Sequence, residues 1–313
     1  MLLDILLLIA GFGLLVLGGN WLLKSSVALA SRLGMSSMMI GLTVVSFATS
    51  MPELIVSIKA ALVGSSGIAL GNVIGSNVAN IGLVLGVTLL ISPINIPRKF
   101  FKTDWIFLII STLMAMFFLI YYNGILRWHG IVFNLFLSLF LYFLIKTQKP
   151  SYSSVTQKRT KVYEKWIIIF FYLIIGAAGL WLGSELLVNS AKNIAISFNV
   201  PESVIGLTIV AIGTSVPELA ASVIAAIKGE RSISFGNLVG SNIFNILSVL
   251  GITAIIQPIM VEDVRFITND IWWMLGFSLI LLPMSQIGKK FRLSRPHGLI
   301  LVLAYVSFVY LAF

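Results

Sequence analysis

The chain has 313 residues, of which 58% are hydrophobic and only 10% charged, with a mean hydropathy of +1.04 and a formal net charge of +10. That composition excludes a soluble globule of ordinary surface polarity and places the chain in a bilayer. It contains no cysteine, so disulfides, thiolate catalysis and cysteine-held metals are excluded, and its lysines and arginines lie in short loops between apolar runs, where they orient a membrane protein rather than bind nucleic acid.

About 20 apolar residues in helix cross the hydrocarbon of a bilayer. On that ruler ten spans are expected, at 2–22, 36–62, 67–92, 104–122, 126–146, 166–190, 201–226, 232–257, 270–287 and 296–313. The first opens with Asp4 and has no basic residue before its apolar run, so it does not read as a cleaved signal. The polar stretch KTQKPSYSSVTQKRTKVYEK between spans five and six reads as a tether too short for a domain. The expected organisation is therefore a first half at 1–146, a linker at 147–165 and a second half at 166–313.

Within the second and third spans lies GLTVVSFATSMPELIVSIKAALVGSSGIALGNVIGSNVANIGLVLG, residues 41–86, which recurs as GLTIVAIGTSVPELAASVIAAIKGERSISFGNLVGSNIFNILSVLG at 206–251. By direct count about 24 of the 46 positions are identical at a constant offset of 165, so the chain is a duplicated unit. Five spans per copy is an odd number, which forces the second copy into the membrane upside down relative to the first. The fold class that follows is an all-α integral membrane protein of ten transmembrane helices, built as two inverted five-helix repeats. With the N-terminus outside, 17 of the 21 basic residues fall on the cytoplasmic side and only Lys59, Arg127, Lys192 and Arg265 outside, so both termini are expected to be external.

The chemistry of the chain is concentrated in the repeats. Pro52 and Pro217 each lack an amide hydrogen and crowd the carbonyl four residues earlier, at Ala48 and Gly213, so each is expected to kink its helix and free backbone oxygens. Irregular backbone at membrane depth lines cavities or is buried in protein. Beside the kinks stand Thr49, Ser50 and Glu53 in one copy and Thr214, Ser215 and Glu218 in the other. An acid within a membrane span is costly and is functional by default. Carboxylate, hydroxyl and carbonyl oxygens suit a hard cation such as calcium or sodium, and nothing here offers the nitrogen or sulfur that zinc or copper favours. Further on, the Gly71/Gly75 and Gly236/Gly240 pairs form small faces for close helix packing, while Ser76 with Asn80, and Ser241 with Asn245, share one helix face. Asn72, Asn77, Asn237 and Asn242 are expected to bond helix to helix. Glu185, His129 and His297 read as interfacial, and Trp272 and Trp273 as an aromatic belt.

FATSMPE and IGTSVPE, each followed by GNxxGSNxxN, resemble the two alpha repeats of the sodium/calcium exchanger family within the cation/calcium antiporters. The resemblance covers both halves and implies a ten-helix fold whose second, third, seventh and eighth helices enclose ion sites at mid-membrane while the first and sixth slide past them. It implies that calcium is held by Glu53, Glu218 and the carbonyls of Thr49 and Thr214. Sodium sites would add the carbonyls of Ser46 and Ala211 and the hydroxyls of Ser50, Ser76, Ser215 and Ser241, with Asn80 and Asn245 nearby. Two positions depart from the family pattern: residue 245 is Asn where some prokaryotic relatives carry Asp, and Ala48 stands where the second copy has Gly213.

The function expected is therefore a secondary antiporter exchanging sodium for calcium by alternating access, with proton- or potassium-coupled antiport in the same fold as the alternative. A passive channel fits less well because such channels assemble around a symmetry axis. An intramembrane enzyme would need a nucleophile with its base or a catalytic acid pair, and the all-oxygen surroundings and inverted duplication favour transport. No catalytic residue or cofactor is expected. The partners are the lipid bilayer and the transported calcium and sodium ions, the protein is expected to work as a monomer, and a cytoplasmic membrane is the expected location.

Overall fold

The computed structural model describes residues 2–147, 165–198, 213–288 and 291–311. Among them are eleven helices: α1 (Leu2–Leu33), α2 (Ser37–Thr49), α3 (Met51–Leu62), α4 (Ser66–Ile91), α5 (Arg98–Tyr122), α6 (Arg127–Thr147), α7 (Trp166–Ser197), α8 (Val216–Ile227), α9 (Arg231–Ile256), α10 (Phe266–Gln286) and α11 (Arg295–Leu311). Seven are long and apolar enough to cross a membrane, α2 and α3 add an eighth span as a bent pair, and α8 and α11 are shorter apolar helices. The protein is thus an all-helical, multi-pass membrane protein. Helix α8 is the described part of the expected seventh span; 201–212, which include Ala211, and most of the linker lie outside the described residues.

Several spans run past their expected ends. Helix α1 continues from 22 to Leu33, and Ser25 in its polar turn bonds back to its own helix, Oγ donating to Trp21 O at 2.6 Å and Leu22 O at 3.0 Å. Helix α7 likewise extends from 190 to Ser197. These two long helices lie against each other, and glycine sets their spacing. A Cβ on Gly18 would stand 2.7 Å from Leu180 N and 2.8 Å from Gly176 O, and one on Gly11 would stand 2.8 Å from Gly183 O. Gly11 and Gly176, and Gly18 and Gly183, are related by the repeat offset, so each seam residue meets the counterpart of the other.

The same exchange appears in four short strands. β1 (Ile94–Asn95) and β3 (Ile259–Met260) follow equivalent helices, as do β2 (Gly124–Ile125) and β4 (Arg292–Leu293). β1 pairs antiparallel with β4, Ile94 opposite Leu293, and β2 with β3, Ile125 opposite Ile259. Each half thus lends one strand to the other, as a pseudo-two-fold axis in the membrane plane requires of an inverted repeat.

The histidines differ from expectation. His129 is fully buried and His297 nearly so. Both rings are enclosed by protein: His129 Nδ1 accepts from Leu126 N at 2.9 Å and His297 Nδ1 from Ser294 N at 3.0 Å, each reaching back to satisfy a free N–H at its helix start. His129 also stacks flat on Phe118, centroids 3.9 Å apart. Trp272 is exposed, as an interfacial belt residue should be, and Trp273 is half-buried against Phe277 and Phe308. Glu185 is exposed.

Candidate cation site

The two proline kinks build the site. Helix α2 ends at Thr49, Ser50 leaves the helix with φ −85° and ψ 3°, and α3 restarts with Pro52 in its first turn, the two axes bent by 42°. Ser215 has the same geometry, φ −86° and ψ 1°, ahead of Pro217 in the first turn of α8. The break places Glu53 in the first turn of α3 and Glu218 in the first turn of α8. There the unpaired N–H groups and the positive end of the helix dipole favour negative charge.

Both glutamates are fully buried. Neither makes a salt bridge to a described basic residue. Both carboxylate oxygens of Glu53 and Oε2 of Glu218 have no hydrogen-bond partner among the described residues, and Oε1 of Glu218 receives only a long contact from Ser50 Oγ at 3.5 Å. Because Ser50 lies three residues before Glu53, that contact joins the two kinks across the repeat.

Around them the hydroxyls pair across the duplication. Thr49 Oγ1 lies 3.3 Å from Ser241 Oγ, and Thr214 Oγ1 lies 3.3 Å from Ser76 Oγ. The threonine before each kink therefore meets the GSN serine of the other copy. Asn80 and Asn245 are fully buried with both amide atoms unpartnered among the described residues, as is Ser215 Oγ. Each asparagine opens a π turn, Asn80–Leu85 or Asn245–Leu250. Such turns break the regular ladder and often accompany functional sites.

The structure thus brings Glu53, Glu218, Thr49, Thr214, Ser50, Ser76 and Ser241 together, with Ser215, Asn80 and Asn245 buried on the same elements. Ser46 is buried there too, its hydroxyl engaged with Gly41 O at 2.7 Å and Asn237 O at 2.9 Å and its carbonyl accepting from Ser50 N at 2.9 Å. Ala211 lies outside the described residues.

The remaining asparagines act between helices, with one exception. Asn72 Nδ2 donates to Ser57 Oγ at 2.9 Å and to Glu53 O at 3.1 Å; Asn237 Nδ2 donates to Ser222 Oγ at 3.0 Å; Asn242 Nδ2 donates to Asn77 O at 3.1 Å. Asn77 instead bonds its own helix, at Val73 O. The kinks also differ from expectation on one point: the Gly213 carbonyl is taken by Ser184 Oγ of α7 at 2.8 Å. Sequence reasoning missed Ser184 because the repeat counterpart of that position is Gly19, so the duplication gives it no signal.

A ring of oxygens carrying two buried carboxylates, with no neutralising side chain among the described residues, suits a hard divalent cation or monovalent ions in its place. No cluster of three or more acidic, histidine or cysteine side chains occurs among the described residues.

The chain matches the family described as sodium/calcium exchanger protein over residues 3–146 and 168–313. It is 38% identical to the putative antiporter CaxA of Alkalimonas amylolytica, covering 100% of this chain and 99% of that one, and 31% identical to the sodium/calcium exchanger MaX1 of Methanosarcina acetivorans, covering 99% and 98%. Its fold superposes on the sodium-calcium exchanger NCX_Mj, solved after soaking with sodium and calcium, with a TM-score of 0.83 and 29% identity over 99% of this chain and 98% of the other. This chain is a member of the sodium/calcium exchanger family.

Proposed function

We propose that this protein exchanges sodium for calcium across the membrane by alternating access at one central cluster. The observation that carries this reading is the pair of fully buried glutamates, whose oxygens find no hydrogen-bond partner among the described residues beyond the long Ser50 Oγ contact to Glu218 Oε1, framed by the Thr49–Ser241 and Thr214–Ser76 hydroxyl pairs. A buried charge without a partner is strongly unfavourable, so these carboxylates call for a cation. In this reading Glu53 and Glu218 bind calcium with the carbonyls of Thr49 and Thr214. Sodium uses the same carboxylates together with the carbonyls of Ser46 and Ala211 and the hydroxyls of Ser50, Ser76, Ser215 and Ser241, with Asn80 and Asn245 beside them.

Two ions that share the same carboxylates compete, which is the physical basis of exchange: loading one releases the other. Two ionised glutamates balance one calcium, whereas three sodium ions would leave one positive charge, so a three-for-one exchange carries current. The inverted repeat supplies two equivalent ways of closing the site, one towards each face. The α1–α7 pair, whose backbones approach through glycine, suits a unit that slides as one body. The 17-to-4 distribution of basic residues supports a cytoplasmic-membrane protein with both termini outside.

The test is radioactive calcium uptake into sodium-loaded proteoliposomes. Uptake that requires the outward sodium gradient and responds to an imposed potential is the expected result. Uptake driven only by a proton or potassium gradient would replace sodium as the coupling ion while keeping the glutamates.

A further inference from the structure

Ser46 follows a five-residue π turn, Gly41–Val45, at the middle of α2. The wider turn sends the Ser46 N–H to Gly41 O and brings its hydroxyl within 2.7 Å of that oxygen and 2.9 Å of Asn237 O on α9. A hydroxyl has a single proton, which Gly41 O and Asn237 O share, and the contact to Asn237 is the one that crosses from α2 to α9. The two helices meet here backbone to backbone. A Cβ on Gly41 would stand 3.0 Å from Asn237 N and 3.1 Å from Gly236 Cα, and one on Gly240 would stand 2.6 Å from Leu42 O. Ser46 is fully buried, so its hydroxyl bridges a dry contact where no water competes.

The other copy differs in sequence here. At the repeat offset of 165 the residue is Ala211, which carries no hydroxyl. An exact inverted repeat would close its two faces with equal free energy; this substitution makes the two sequences unequal at the position where α2 is bonded to α9.

We propose that the Ser46 hydroxyl is a one-sided latch, bonding α2 to α9 so as to hold shut the face at the α9 N-terminus and bias the protein towards the state open on the opposite face. The latch rests on the alternating-access reading above, in which that shut face is cytoplasmic. It acts through helix position and leaves the Ser46 carbonyl, the atom assigned to sodium, in place. One such hydrogen bond changes the ratio of open to closed forms about fivefold.

The chain has no native cysteine, so a single reporter suffices. Ser234 is fully buried on α9, three residues before Asn237 and seven before Ser241, on the helix face that meets α2. Ser234→Cys is reconstituted in vesicles of known orientation and titrated with a membrane-impermeant thiol reagent from either face. Adding Ser46→Ala is expected to speed modification about fivefold from the face at the α9 N-terminus and not from the other. Ser46→Thr, which keeps the hydroxyl, restores slow modification. Gly240→Ala, whose methyl would press first on the Ser46 hydroxyl and then on the Leu42 backbone, displaces the same bond from the α9 side and shifts accessibility in the same direction as Ser46→Ala. An equal rise from both faces, or no rise in either Ser46→Ala or Gly240→Ala, would overturn the latch. The readout needs no ion gradient, so sided accessibility without calcium uptake would reject the exchange reading and leave the latch standing.

Discussion

Thr49 of the first repeat and Ser241 of the second place their hydroxyl oxygens 3.3 Å apart, and the duplication repeats the contact between Thr214 and Ser76 at the same 3.3 Å. The two copies are therefore interleaved at the site itself: each supplies the threonine to one pair and the serine to the other. Neither repeat can assemble the oxygen ring alone. Thr49→Val and Ser241→Ala are each expected to weaken sodium activation of calcium exchange by about fivefold, with the double variant losing less than the two combined. The Thr214–Ser76 pair is expected to behave alike. A double-mutant cycle on sodium dependence checks this, and fully additive losses would separate the two hydroxyls functionally.

Glu53→Gln or Glu218→Gln removes half the negative charge of the cluster and is expected to lower calcium exchange by at least about tenfold. The same substitutions should raise the melting temperature in calcium-free buffer, because they neutralise a buried charge with no salt-bridge partner among the described residues. Calcium should stabilise the parent against heat and fail to stabilise the variants. Uptake assays paired with thermal melts, with and without a calcium chelator, test both signs together.

Asn245→Asp tests the charge arithmetic. With two carboxylates the calcium-loaded cluster is neutral and a cluster holding three sodium ions carries one positive charge. A third ionised carboxylate makes the first negative and the second neutral. Calcium-for-calcium exchange should therefore be insensitive to an imposed potential in the parent and sensitive in Asn245→Asp, measured as isotope exchange in vesicles clamped with a potassium ionophore. A potential-sensitive calcium step in the parent would count against a two-carboxylate site.

His129→Ala and His297→Ala each remove an acceptor for a backbone N–H at a helix start, a loss of about 1 kcal/mol. His129→Ala should cost more, because it also removes a flat stack on Phe118. Both variants should melt lower in detergent while retaining calcium exchange per folded molecule, since each ring bonds the start of its own helix and not a residue of the cation cluster. An exchange defect without a stability defect would give these histidines a role in transport.

The linear chain already contains the strongest constraints on this protein. Hydropathy sets the spans, because hydrocarbon tolerates only long apolar helices, and an odd number of spans per copy forces inversion. The residues that carry charge and hydroxyls, Glu53 with Thr49 and Ser50, and Glu218 with Thr214 and Ser215, are marked by recurring at one offset beside a proline, which is a local backbone instruction. Tertiary structure decides what depends on partners distant in sequence. The π turns at Gly41, Asn80 and Asn245 arise where a helix wedged between neighbours adjusts its ladder, and nothing local announces them. His129 and His297 look interfacial in a linear chain and become buried caps only once their helix starts are enclosed. Ser184 finds the Gly213 carbonyl, and Ser46 finds Asn237, across separations of 29 and 191 residues. Side chains of ordinary serines acquire those roles because a carbonyl freed by a kink, or pressed close by glycine, must be satisfied by whatever donor packing brings to it.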